Sequence, residues 1–183
     1  MQKERKFTET QYCPFGGRKM TKVVYPGTFD PPHLGHLDIV KRSCEVFDCV
    51  VVAVARNPRR HLLFNMEERV EMFKKMVECL GNKVEVKGFD GLLVNFMLEE
   101  GIRLIVRGVR LFTDFEYELQ IAMNNYKLAK VETIFMMPSQ DYIHISSTIV
   151  RDIASYCGDL KGLVHPYVEE KLKEKFGCLR VKM

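Results

Sequence analysis

Two histidines separated by a leucine and a glycine, His33-Leu34-Gly35-His36, follow the run Tyr25-Pro26-Gly27-Thr28-Phe29-Asp30-Pro31-Pro32. This order of residue types suits the holding of an anion. Gly27 permits a tight turn after an apolar strand, and His36 falls in the first turn of the helix that the following periodicity predicts. There the unpaired backbone N–H groups and the positive end of the helix dipole favour negative charge, and an imidazole adds a donor aimed the same way. Two further stretches carry related chemistry. Arg107-Gly108-Val109-Arg110 places two guanidinium forks, which match phosphate oxygens, around a glycine that lets a ligand approach the backbone. Ser146-Ser147-Thr148, with Arg151 one turn on, opens another predicted helix with hydroxyls. An N-cap accounts for one of those hydroxyls, and the remaining groups point to a second phosphate site. Such groups suit transfer between phosphates by placement and fixed positive charge, without a covalent nucleophile.

Groups of this kind must be held by rigid elements, and the apolar pattern shows which. Val23 to Tyr25 is a short buried strand, which Pro26 is expected to end for want of a ladder N–H. Leu34, Leu37, Val40, Cys44 and Phe47 recur at helical spacing, so the helix begins inside the histidine motif. Cys49 to Ala55 is a continuous apolar run, the mark of a strand covered on both faces and hence of a parallel sheet. Asn65 and Glu68 make a capping pair ahead of a helix through Met66, Val70, Phe73, Val77 and Leu80, which reads as scaffold. Strands at 84–87, 104–106 and 133–137 alternate with helices at 92–99 and 115–129. The second of these helices has Phe115, Leu119, Ala122, Tyr126 and Ala129 as its apolar face, with Glu116 and Glu118 opposite. Ile149, Ile153 and Tyr156 define a helix behind the hydroxyls, and Val168, Leu172 and Phe176 another. The alternation predicts an α/β, Rossmann-like doubly wound five-stranded parallel sheet with helices on both faces. Its phosphate-type loops fall at strand C-terminal ends, where such sheets bind ligands.

At 183 residues the chain has the length of one three-layer domain, with residues 1–19 expected as a flexible tail and 20–183 as the domain. A hydrophobic content of 46% beside 28% charged residues excludes wholesale disorder. No apolar run approaches the ~18 residues of a membrane span, and the basic start lacks a secretory core, so no membrane association and a cytoplasmic location are expected. The net charge of +4 is concentrated at Lys3, Arg5, Lys6, Arg18 and Lys19, against Glu4 and Glu9. The rest is nearly neutral, which argues against nucleic acid as a partner. Cysteines at 13, 44, 49, 79, 157 and 178 show no C-x-x-C or zinc-like spacing, and several sit at apolar positions as free core thiols would. A reducing cytosol is the matching expectation.

The histidine motif after "YPGTFDPP" resembles the H-x-G-H signature of the nucleotidyltransferase superfamily. With "RGVRLFTDFEYELQ" at 107–120 and "ISSTIVR" at 145–151, the chain is similar to the phosphopantetheine adenylyltransferase family from about Lys22 to Phe176. The resemblance implies transfer of AMP from ATP to 4'-phosphopantetheine, giving dephospho-coenzyme A and pyrophosphate, with Mg2+ as cofactor and a homohexameric assembly. Carried across residue by residue, His36 would stabilise the transition state, and Thr28 would bridge the acceptor phosphate and ATP beside the Phe29 backbone. Gly108, Val109, Arg110 and Glu118 would bind ATP. Tyr142, Ile143, His144, Ile145, Ser146, Ser147 and Thr148 would hold its adenine and triphosphate. Arg60, at the family's lysine position, and Arg107 would bind the acceptor, and Leu93 would line its pantetheine arm. His33 stands where many members have Thr or Ser, and the complete H-x-G-H with "ISSTxxR" also resembles nicotinamide mononucleotide adenylyltransferase. A nucleotide-binding domain without catalysis is the non-enzyme alternative. No protein metal ligands are assigned.

Overall fold

The computed structural model describes residues 20–57, 61–110 and 112–178, with backbone alone at 112–114. The tail expected at 1–19 and the acceptor contact expected of Arg60 lie outside these residues. Strands and helices alternate as β1 (Lys22–Gly27), α1 (Leu34–Val46), β2 (Cys49–Ala55), α2 (Met66–Val77), β3 (Val84–Phe89), α3 (Leu93–Glu100), β4 (Leu104–Gly108), α4 (Phe112–Ala129) and β5 (Glu132–Met136), followed by α5 (Ser147–Ser155) and α6 (Pro166–Phe176). Every strand pair is parallel, in the order β3-β2-β1-β4-β5, as the alternation predicts. The β2 run is apolar throughout because both its faces are covered. Val50, Val52 and Val54 join Val23 and Tyr25 in a core with α1, α2, α5 and α6, whereas Val51 and Ala53 join Val24 and Ile105 in a second core with α3.

The strand order reverses between β1 and β4, and there the sheet opens. β1 pairs with β2 at six successive positions from Lys22 to Gly27, but with β4 only at Val24 and Ile105. The crevice so formed lies at the C-terminal ends of the two strands, the switch point of a doubly wound sheet. Pro26, expected to end the strand, sits inside β1. In an extended strand a residue's N and O face the same neighbour, and on the β4 side the ladder has already ended. The Pro26 carbonyl there accepts from Arg107 Nη1 at 2.6 Å.

Other expectations need correction. Cys157 and Cys178 form a disulfide, with Cα atoms 5.5 Å apart, so the reading of the cysteines as free thiols fails for this pair. Pairing depends on Cα separation and Cβ direction in the fold, which sequence spacing does not contain. Cys44 and Cys49 are buried thiols as expected, whereas Cys79 is exposed. On α4, Leu119 and Tyr126, assigned to the apolar face, are exposed along with Tyr117, Met123 and Leu128. β3 also runs two residues past Lys87, to Phe89. Among the described residues no helix is long and apolar enough to cross a membrane.

Candidate active site

The crevice holds a cavity of about 430 Å³. Its floor is the histidine motif. Gly35 belongs there because a Cβ at that position would stand 3.1 Å from the His33 ring and 3.4 Å from the Tyr142 carbonyl oxygen. The His33 ring lies on that of His36 with centroids 3.6 Å apart, and Phe29 meets His36 edge-on at 4.9 Å. The His33 backbone N–H donates to His36 Nδ1 at 3.1 Å, a bond from the helix N-cap to the side chain of its first turn. This bond decides the chemistry. With Nδ1 accepting, the neutral ring carries its proton on Nε2. Burial, reinforced by His33, Arg110 and Arg107, holds the His36 pKa well below its ordinary value, so the neutral form prevails. His36 is thus a fixed neutral donor at the cavity.

Burial, with the Arg110 charge acting in the same sense, lowers the His33 pKa to about 3 from 6.5. Above pH 6.5 the ring is neutral folded and unfolded, and its contribution to stability is complete. Below that, the unfolded chain binds a proton that the folded chain refuses, so stability falls by about 1.4 kcal/mol per pH unit down to about pH 3. His33→Thr should therefore lose less stability than the parent between pH 7 and pH 5, by about 2 kcal/mol or roughly 4–8 °C in Tm. Parallel melting curves for the two proteins over that range would show that His33 is not held neutral.

The cavity wall is cationic. Arg107 Nε donates to Glu118 Oε2 at 2.7 Å and the same guanidinium closes a second bond to Glu118 Oε1, so the residues expected at acceptor and ATP are paired with each other. Arg110 Nη1 donates to the Ile145 carbonyl at 2.8 Å, which ties the end of β4 to the approach of α5. At α5, Ser146 is the N-cap and accepts from Ile149 N at 3.1 Å, and Ser147 Oγ donates to the Pro31 carbonyl at 2.9 Å. One hydroxyl thus caps the helix and a second holds it against the loop before α1, and all three residues also line the cavity.

The cavity brings together Thr28, Phe29 and His36 from the first stretch, Arg107, Gly108, Arg110 and Glu118 from the second, and Tyr142 with Ser146 to Thr148 from the third. It does not include Val109, buried with its N–H on the Met136 carbonyl, nor Ile145, wholly buried. Ile143, His144 and Leu93 also lie off its lining, Leu93 packing against the β2–α3 core. Sequence reasoning missed the groups that hold the loop. The buried Asp30 carboxylate accepts from Leu63 N at 2.8 Å and Phe64 N at 3.0 Å and meets Arg151 at 3.3 Å. Asp38 accepts from Ser139 N at 2.9 Å, tying α1 to the segment after β5. Arg69, 1% exposed, lies on α2 with its guanidinium among backbone carbonyls. One signal was available: position 69 falls on the apolar stripe of its helix, where an arginine needs a reason.

A family model described as cytidylyltransferase-like matches residues 24–153. The chain is 76% identical over 157 residues to the phosphopantetheine adenylyltransferase of Aquifex aeolicus, covering 86% of this chain and 97% of that one. It is 47% identical over 163 residues to the enzyme of the same name from Carboxydothermus hydrogenoformans, covering 87% and 100%. Among solved structures, a putative nicotinate-nucleotide adenylyltransferase from Vibrio parahaemolyticus superposes with a TM-score of 0.59 at 20% identity, over 84% of this chain and 99% of that one. A nicotinic acid mononucleotide adenylyltransferase from Plasmodium falciparum does so at 0.62 and 14% identity, over 86% and 96%. At such identities the structures share the fold alone.

Proposed function

Because the chain belongs to the phosphopantetheine adenylyltransferase family, we infer that it transfers AMP from ATP to 4'-phosphopantetheine, releasing dephospho-coenzyme A and pyrophosphate. The observation that carries this reading at the site is the meeting of a neutral Nε2–H donor on His36 with Thr28, Arg110 and the α5 N-terminus in one crevice. The acceptor phosphate is already ionised and needs no base. One of its oxygens forms the bond to the α-phosphorus of ATP while the bridge to the β-phosphate breaks, its electron pair leaving with pyrophosphate. What the protein must supply is in-line placement and positive groups around the oxygens that gain charge.

In this reading His36 Nε2 and Arg110 serve the α-phosphate, and Thr28 with the Phe29 N–H stands between the two substrates. Gly108, Val109, Arg110 and Glu118 serve ATP, and residues 142–148 its adenine and triphosphate. Arg107, with Arg60, serves the acceptor phosphate, and Leu93 its pantetheine arm. Among the described residues no three acidic, cysteine or histidine side chains gather in a metal cage. We propose Mg2+ as the cofactor, carried on the nucleotide's own phosphates, whose charge it would partly neutralise. We place the reaction in coenzyme A biosynthesis and in the cytoplasm; the Cys157–Cys178 bond argues against a strongly reducing one, and cell fractionation decides the point. A homohexamer is the proposed assembly, supported by the exposed Tyr117, Met123 and Leu128 of α4 and by Met137, exposed just after the edge strand β5.

The test is to offer ATP with 4'-phosphopantetheine and, separately, with nicotinamide mononucleotide, following pyrophosphate and the mass of the adenylylated product. The expected result is dephospho-coenzyme A from the first mixture and no product from the second. Product only from the nicotinamide mixture, or ATP binding without pyrophosphate from either, would overturn the reading. Sedimentation of the same sample as a monomer would remove the hexamer.

A further inference from the structure

Between β1 and α1 the chain has no ladder of its own to hold Thr28 and Phe29 in place. Phe29 has a φ of +52°, a conformation that a bulky residue adopts only when its surroundings impose it. Something outside the loop must therefore set it. The guanidinium of Arg69, on α2, donates through Nε to the carbonyls of Phe64 and Asn65, both at 3.1 Å. Through Nη1 it donates to the carbonyls of Thr28 and, at 2.8 Å, Ala55, and Nη2 reaches the Arg56 carbonyl at 3.4 Å. All five partners are backbone oxygens. One side chain thus joins the end of β2, the lead into α2 and the phosphate loop. The neighbouring buried positions of α2 are Met72, Phe73, Met76 and Val77, so the arginine is the exception on this face of the helix.

We propose that Arg69 is a positioning residue for adenylyl transfer, acting through the peptide unit that joins Thr28 to Phe29. The proposal rests on the reading of Thr28 and Phe29 as phosphate ligands. That peptide is trans, so its C=O and N–H point in opposite directions. Seating the Thr28 carbonyl on Arg69 turns the Phe29 N–H away from α2. Both residues line the cavity. Asn57 completes the grip: its Nδ2 donates to Thr28 Oγ1 at 3.2 Å, so the hydroxyl's own proton is left to donate elsewhere. Arg69 therefore stands behind two donors without touching either substrate.

The experiment compares Arg69→Met, Thr28→Val and the double variant for turnover with ATP and 4'-phosphopantetheine, for ATP affinity by calorimetry, and for exchange of the Phe29 amide. Arg69→Met should lower kcat by about 100-fold, the scale of a 1 Å misplacement, with a far smaller change in ATP affinity. The Phe29 amide should exchange faster. The double variant should fall little below the worse single variant, because both changes disable the same unit. A folded Arg69→Met enzyme with parental turnover, or losses that multiply in the double variant, would overturn the proposal. If Arg69→Met does not fold, Arg69→Lys, which keeps charge and stem but reaches fewer carbonyls, is read the same way. Failure of both to fold would make the residue structural and end the proposal. If the parent protein makes no pyrophosphate, the activity reading has failed, and unchanged Phe29 exchange in the variant would separately sink the role of Arg69.

Discussion

His36→Asn lowers turnover by about 100- to 1,000-fold, the cost of losing one oxyanion donor, while leaving the melting temperature close to that of the parent. The choice of asparagine follows from the two ring nitrogens having separate duties. Nδ1 accepts the His33 N–H at 3.1 Å, and an Asn carboxamide oxygen can take over that bond. Nothing in asparagine reaches the place of Nε2. His36→Ala removes both functions, and the orphaned His33 N–H adds a stability loss of about 1–3 kcal/mol to the same catalytic defect. ATP affinity changes little in either variant, since the donor acts chiefly as charge builds on the α-phosphate. Because the ring is neutral far below its ordinary pKa, turnover of the parent should show no acid limb from this residue near pH 6.5. Steady-state kinetics with thermal melting decide the matter. Parental turnover in a folded His36→Asn protein would remove His36 from the mechanism.

Gly27→Ala should damage stability and turnover together. A Cβ at that position would lie 2.6 Å from Cε1 and Cζ of Phe29 and 3.0 Å from its Cε2, well inside carbon contact distance. The ring has little room to yield. It is 3% exposed, with Phe73 at 4.7 Å and His36 at 4.9 Å between ring centroids. Moving it displaces the His36 imidazole or lifts Thr28 off Arg69. The expected cost is about 1–3 kcal/mol of stability from overpacking and a loss of roughly 100-fold in turnover from misplacement. Unchanged melting and kinetics would mean that the Phe29 ring is not wedged as described.

Both effects depend on contacts that a linear reading does not reach, whereas the frame that carries them is local. The β2 run and the histidine helix have a strong period and clear ends, and each element begins and stops close to where the pattern places it. The Asn65–Glu68 cap was legible for the same reason, and its two bonds form at 2.7 and 2.8 Å. Pro26 misled because its effect on a strand depends on what lies beside it, here a crevice in place of a ladder. The α4 stripe misled because a helix can show an apolar face outward as well as inward, and periodicity does not say which. Arg107 and Glu118, eleven positions apart, were assigned separately, yet their pairing needs only the β4-to-α4 connection to bring them together. Asp30 and Arg69 act on backbone groups, and Asn57 on the Thr28 hydroxyl, that lie far off in sequence, so no spacing rule exposes them.

The Cys157–Cys178 bond has a consequence for fragments. It joins residues 21 positions apart and closes a covalent circle from just after α5 around the whole of α6. A protease that cuts anywhere within that circle makes two pieces that remain one molecule, and only a reductant parts them. The severed α6 stays tethered at high effective concentration beside the face it covers, where Val168 and Leu172 pack with Val150 and Ala154. The helix that presents Ser147 and Thr148 thus keeps its cover after a nick.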